Sequence, residues 1–399
     1  MMNTKPNISF ENTEIAFASR TDVELRKMYL IFAVMDKNWA VKIGTNLADF
    51  AFALRLPVKG IMKKTMFGHF CGGESIRDCA KSIKELQEFG IGTILDYSVE
   101  GKGTEKSYDL TRDELIGTIK RSAGAAEIPF TVFKATGVGS SKIMTKVQAG
   151  KSLSRDEQVS FDKMKQRVDD LCRTAYENDV RIMVDGEESW FQNVVDEMAY
   201  EAMSKYNREK AIVYNTFQMY RKDMLGLLKK AHQKAEEGGY YLGAKVVRGA
   251  YMEKERDRAE DKEYPSPIQD TKEDSDNAFN DALKFSMDNK DRIYLVCGTH
   301  NELSNIILTE LMNLHGLQAD DKRVYFAQLY GMSDTISYNL AFAGYNVAKY
   351  VPYGPVESVM PYLYRRAAEN TSVSGQSSRE FELIKNEITR RAYLKKTII

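Results

Sequence analysis

Eight short apolar runs, each ending in polar or glycine residues, limit what this chain can fold into more than any other feature. GTILDYS at 92, PFTVFKATG at 129, VRIMVDGEE at 180 and KAIVYNTFQ at 210 are followed by GAKVVRGAY at 243, RIYLVCGTH at 292, RVYFAQLYG at 323 and YNVAKYVPYG at 345. Their Val, Ile and Tyr content suits pleated backbone, and most are separated by helix-sized segments. Parallel strands need crossovers of that length, so the pattern predicts an α/β chain folded as a (βα)8 TIM-type barrel with its helices outside. A doubly wound open sheet is the alternative, but its GxGxxG turn after the first strand is missing.

The intervening segments read as helices. TRDELIGTIKRSAG at 111, SRDEQVSFDKMKQRVDDLCRTAYEN at 154 and SWFQNVVDEMAYEAMSKYN at 189 are charged, carry caps and contain no proline. The stretch from Glu253 to Asp276 is polar with two prolines and is expected as a long loop after the fifth strand. Residues 1–90 read as an N-terminal helical arm or cap, ahead of a barrel domain over 91–399. In that arm Thr21 and Asp22 should start a helix reaching Ala40, and Ser75 should cap another that stops at Gly90.

Charge and cysteine usage remove several function classes. Lys plus Arg and Asp plus Glu stand at 57 each, so no net charge draws the chain to nucleic acid. The four cysteines, Cys71, Cys79, Cys172 and Cys297, form no CxxC, which argues for reduced thiols and against zinc. No window holds eighteen uninterrupted apolar residues, and the N-terminus has neither a secretory nor a transit pattern. The expected location is the cytoplasm.

The polar residues that matter lie at strand ends and on the last barrel helix. In KYVPYGPVESVMPYLYRRAAEN (349–370), Pro355 and Glu357 suit the first turn of a helix. On that helix Tyr362, Arg366 and Glu369 share one face, while Val356, Val359, Leu363 and Ala367 form an apolar stripe. Adjacent Arg365 and Arg366 offer forked donors suited to a carboxylate. Strand ends add Lys134, Asp185, Gln218, Tyr251 with Arg248 and Gly249, Thr299 with His300 and Asn301, and Tyr350, where a barrel builds its site. Singly each has a plain alternative: a surface lysine, a capping aspartate, a core histidine, a rim tyrosine. HExxH, a Walker lysine loop and a GxSxG elbow are all missing. Residue chemistry therefore reaches a barrel that holds a small carboxylate and stops short of the reaction.

Four motifs in order carry the next step. KVVRGAYMEKER at 245–256, GTHN at 298–301, QLYGMSD at 328–334, and YVPYG with YLYRRAAEN within 350–370 resemble those of the proline dehydrogenase family, flavoenzymes with a distorted (βα)8 barrel. The resemblance covers about residues 90–372. It implies oxidation of L-proline to Δ1-pyrroline-5-carboxylate, with hydride passing from ring C5 to N5 of FAD. Arg365, Arg366 and Lys134 would hold the substrate carboxylate, with Asp185 ordering the cations. Tyr251, Leu329, Tyr350 and Tyr362 would enclose the ring, and a bulky Tyr350 would crowd a ring hydroxyl. Gln218, Lys245, Val247 and Gly249 would line the flavin ring system, Thr271, Thr299, His300 and Asn301 its ribityl, phosphate and adenine parts, and Glu369 would touch the cofactor from the last helix.

The resemblance also implies a quinone as electron acceptor and a separate pyrroline-5-carboxylate dehydrogenase for the product. Residues Leu54 to Phe70, basic and apolar, are the candidate peripheral contact with an inner membrane. Met252 departs from the family, some of whose members carry Trp there. Two other readings stand beside this one: a hydroxyproline dehydrogenase of the same family, and a non-catalytic barrel that binds amino acids.

Overall fold

The computed structural model describes residues 8–35, 37, 39, 43–45, 47, 54, 59–99, 103–372 and 376–397, and of 367–372 and 376–378 the backbone alone. Each of the eight apolar runs is a strand: β1 Ile91–Tyr97, β2 Phe130–Phe133, β3 Arg181–Val184, β4 Val213–Gln218, β5 Leu242–Val247, β6 Ile293–Gly298, β7 Val324–Leu329 and β8 Val347–Tyr353. They close in sequence order into one barrel, and the pairing is parallel, as in Phe130 opposite Arg181 and Gln218 opposite Val247. The predicted α/β barrel with N-terminal helices is the observed architecture.

The crossover helices begin where side chains satisfy their free N–H groups. Ser154 and Glu157 close a capping box on the Arg155–Glu177 helix, each side chain accepting from the other's N–H, at 3.2 and 2.9 Å. Three expected boundaries are corrected. The helix expected from Thr111 starts six residues earlier, at Glu105, because a box between Thr104 and Ser107 caps it there. Ser75 pairs with Asp78 around a turn, and the helix proper runs only over Ala80–Gln87. The loop expected over 253–276 begins instead as a helix, Met252–Asp261, since both prolines fall after it. The Asp22–Met35 helix forms as expected from Thr21 and Asp22, and Ala40, its expected end, lies outside the described residues.

Packing divides the chain into two compact units, residues 94–327 and residues 1–93 with 328–399. In the first, aromatic rings close the N-terminal end of the strands. Phe130 meets Tyr214 at 5.3 Å and Tyr325 at 4.9 Å edge to face, and the Arg181 guanidinium lies over Phe130 and Tyr325. Gly243 makes room for this layer: a Cβ there would sit 2.3 Å from the Val213 carbonyl oxygen and 2.8 Å from the Tyr214 ring. With that end filled, the polar residues of the unit gather at the opposite ends of its strands.

In the second unit the Asp22–Met35 helix packs against the C-terminal helix, Gln376–Thr397, through Leu25, Met28, Phe32, Leu383 and Ile384. Glu387, fully buried, accepts from Thr13, Arg390 and Arg391, so this contact is both apolar and ionic. Phe67 and Phe70, from the stretch expected to meet a membrane, pack in a cluster with Val356, Val359, Tyr362 and Leu363. Ile61 stays 66% exposed and Leu54 55%, while residues 55–58 of that stretch lie outside the described ones. No described helix is long and apolar enough to cross a membrane.

Candidate active site

Within residues 94–327, four alternating charges stand toward the C-terminal ends of four strands. Asp96 belongs to β1, Lys134 and Asp185 directly follow β2 and β3, and Lys245 is on β5. Asp185 accepts from Lys245 and lies 3.4 Å from Lys134, which is 3.8 Å from Asp96. Burial pulls Lys134 down, but Asp96 and Asp185 outweigh it and hold the ammonium charged well above its usual range. Burial pushes Asp185 up, and the two lysines reverse that, leaving its carboxyl below the usual range. The row is balanced, two ammonium groups against two carboxylates, which keeps the cations in place; Lys134, half-buried, is the cation of the row that can meet a small anion.

The predicted cofactor residues of this unit fall beside that row. Gln218 pairs in register with Val247 across β4 and β5, and Lys245 lies two residues before Val247 on the same strand face. Gly249 has φ +133°, and a Cβ there would meet the Tyr220 ring at 2.5 Å, so only glycine keeps the strand ends clear. Arg248 donates to Asp276 at 2.6 Å, Thr299 at 2.7 Å and Ser304 at 3.0 Å, with its guanidinium 4.4 Å over Phe279. Thr271 caps the Lys272–Asp288 helix, and Asn301 caps Glu302–Leu314 by accepting from Ser304 N–H at 2.9 Å. His300, half-buried, stands between Thr299 and Asn301. Thr271 and Asn301 thus have structural work as caps, which their sequence positions did not reveal. The donor set of Lys245, Arg248, the Gln218 amide and the Thr299 hydroxyl fits a flavin, with its carbonyl-bearing ring and diphosphate.

Tyr251 is half-buried at the start of the Met252–Asp261 helix, with Lys254 over its ring at 5.8 Å. The other predicted substrate residues belong to the second unit. There Leu329 ends β7 and Tyr350 lies in β8, the Tyr350 carbonyl accepting from Tyr330 N–H at 2.8 Å. On the Val356–Ser372 helix Val356, Val359 and Leu363 are fully buried, which anchors one face. Arg366 stacks 5.2 Å over the Tyr362 ring one turn away, both nearly buried, and Arg365 is half-buried. The side chains of Ala367 and Glu369 lie outside those described.

Three acidic or basic groups escaped the reading of the sequence. Asp96, in LDYS, was the last polar residue inside a strand and carried no motif. Glu187, two residues past Asp185, is 2% exposed and accepts from Thr136 N–H at 3.0 Å and from its hydroxyl. Lys349, in the middle of β8, is fully buried and donates to Asp334 at 2.7 Å. Alternation of inward and outward residues along β1 and β8 could have flagged Asp96 and Lys349, whereas Glu187 lies past the end of β3 and carried no such signal.

Comparison with known proteins gives the family and the fold. The family model described as proline dehydrogenase matches residues 79–379. The chain is 30% identical to proline dehydrogenase 1, mitochondrial, of Dictyostelium discoideum, over 96% of this chain and 75% of that relative. It is also 30% identical to hydroxyproline dehydrogenase of Xenopus laevis, over 83% of this chain and 79% of that one. Among solved structures, proline utilization A from Bdellovibrio bacteriovorus superposes with a TM-score of 0.71 at 21% identity, over 90% of this chain. This chain spans 38% of that longer protein, and the likeness carries the fold alone.

Proposed function

This chain belongs to the proline dehydrogenase family and is an oxidoreductase of that family, and from that footing we propose that it oxidises L-proline to Δ1-pyrroline-5-carboxylate with FAD as cofactor. The observation that carries the proposal is the row Lys134, Asp185 and Lys245, a half-buried and a buried ammonium held by one carboxylate beside the strand ends that fit a flavin. FAD, when bound, supplies the hydride acceptor; the chain supplies binding, orientation and exclusion of water.

Lys134, Arg365 and Arg366 are the proposed carboxylate ligands, Asp185 keeping the lysine charged and in place. Tyr251, Leu329, Tyr350 and Tyr362 are the proposed wall around the ring, apolar enough to keep water from the carbon that loses hydride. Gln218, Lys245, Val247, Gly249, Thr271, Thr299, His300, Asn301 and Glu369 would hold the cofactor. Electrons would then leave to a quinone at a membrane surface, and the cyclic imine would pass to a pyrroline-5-carboxylate dehydrogenase.

The hydroxyproline dehydrogenase relative supports a second reading, in which a ring hydroxyl is accepted. Tyr350 favours proline, because a bulky phenol leaves little room for that hydroxyl. The test is the visible spectrum of the purified protein before and after anaerobic L-proline. A flavin band that bleaches with proline and more slowly with trans-4-hydroxyproline is the expected result. The reverse preference would move the assignment to hydroxyproline, and a protein that takes up no FAD would end the enzyme reading.

A further inference from the structure

Glu187 is a buried acid that neither the substrate nor the cofactor assignment uses. Its carboxylate accepts from both the N–H and the hydroxyl of Thr136, in the first turn of the short helix that Lys134 starts. An unmatched N–H at that half-buried turn would be costly, and Glu187 reaches across from the segment after β3 to cap it. The main chain of the same residue is tied on two further sides. Its N–H donates to Gln192 at 2.6 Å, and its carbonyl accepts from the Gln218 amide at 2.7 Å. Gln192 and Asn215 in turn donate to Asp196, each at 2.8 Å, which completes a buried polar network from β2 to β4. Gly186 makes the contact with Gln218 close, since a Cβ there would lie 2.9 Å from the amide carbon and nitrogen.

We propose that Glu187 is a positioning residue for this site: its side chain fixes the Lys134 turn, its main chain fixes the Gln218 amide, and its charge tunes how strongly Lys134 attracts a carboxylate. The proposal rests on the reading of Lys134 as a carboxylate ligand. Asp96 and Asp185 already balance Lys134 and Lys245, so an ionised Glu187 tips the local charge negative and opposes an incoming anion. Burial pushes the Glu187 carboxyl up, to about 7, against the Thr136 hydrogen bonds; Glu188 adds to the rise and Lys134 opposes it. The charged groups around it are Lys134 after β2, Asp185 and Glu188 beside it in sequence, and Lys254, which pairs with Glu188 from the Met252–Asp261 helix. Glu187 is therefore neutral on the acid side of neutrality and charged on the alkaline side.

The experiment compares wild type, Glu187→Gln, Glu187→Ala and Thr136→Val as FAD-loaded enzymes, with the cyclic amino acid that bleaches the flavin as substrate. Glu187→Ala and Thr136→Val should raise KM about tenfold while kcat moves about twofold or less, the mark of lost substrate binding rather than lost chemistry. Glu187→Gln copies the protonated acid and should restore most of the KM at pH 6. The ratio of wild-type to Glu187→Gln KM should then rise roughly threefold to tenfold between pH 6 and pH 8.5 as the wild-type group ionises. A flat ratio overturns the charge role, and a lower melting temperature with wild-type KM in Glu187→Ala overturns the positioning role. If no cyclic amino acid bleaches the flavin, the functional reading falls separately. FAD affinity, from fluorescence quenching of the apoprotein, then decides the brace: weaker binding by Glu187→Ala supports it and unchanged binding overturns it.

Discussion

Lys349→Met removes one half of a buried ion pair whose surroundings are fully defined. Lys349 and Asp334 side chains are each 1% exposed and meet at 2.7 Å. The ammonium donates to the Leu329 carbonyl at 3.4 Å, to the Met332 carbonyl and to Asp334, so its three hydrogens all find acceptors. Burial pushes Asp334 up, yet Lys349 and Arg20 hold it down at about 2. A depression from 3.8 to about 2 corresponds to about 2.5 kcal/mol of stability at neutral pH. Stranding one partner of a buried pair costs about 3–5 kcal/mol, which is the same order. With an unfolding entropy of about 2.1 cal/mol/K per residue over 399 residues, the melting temperature should fall by about 4–6 °C.

The assay is thermal unfolding followed by circular dichroism across pH. A depressed carboxylate contributes stability above its unfolded pKa and loses it as pH falls through the folded value. The gap between wild type and Lys349→Met should therefore be full at pH 6 and narrow toward pH 3, as Asp334, left with Arg20 alone, protonates. The Lys349→Met/Asp334→Leu double variant should not recover the loss, since it leaves Arg20, which pairs with Asp334 at 3.1 Å, without its partner. A fall of less than about 1 °C at neutral pH, or a gap that widens on acidification, would refute the reasoning.

Three further outcomes follow from other sites. Arg366→Lys exchanges a planar fork stacked on Tyr362 for a point charge, and steady-state kinetics should show KM for proline rising about 10- to 100-fold with FAD content kept. Gly249→Ala forces a side chain to φ +133° and into the Tyr220 ring, so it should lose about 1–3 kcal/mol in a denaturant titration and carry less flavin after purification. Glu380, which accepts from Ser333 N–H at 2.8 Å, is pushed up to about 7 chiefly by burial, with Asp334 adding to the rise. Its folded pKa lies above the unfolded value near 4.5, so stability is full below that value and is lost as pH rises through 7. Glu380→Gln should flatten that loss by about 3 kcal/mol between pH 5 and pH 8, read from urea unfolding.

The two kinds of information contributed differently, and the reasons are physical. Hydrophobic period and crossover length are local properties, so VRIMVDGEE and RIYLVCGTH could be recognised as strands, and their order as a barrel, from sequence alone. Polar residues at strand ends were equally legible, which is how Lys134, Asp185 and Gln218 entered the candidate site. Helix starts were less so: the first crossover helix was expected from Thr111, and the Thr104–Ser107 box starts it at Glu105. The three-dimensional arrangement alone revealed which charges meet. Lys245 was expected beside a flavin and pairs with Asp185, sixty positions away in sequence; Lys349 carried no signal of its own and is buried against Asp334. Residues of that separation come together only when the strands close, and the energy of an ion depends on its partners and its distance from water. The sequence thus determined the scaffold and the residue types at its active end, and the tertiary structure decided their pairing and burial.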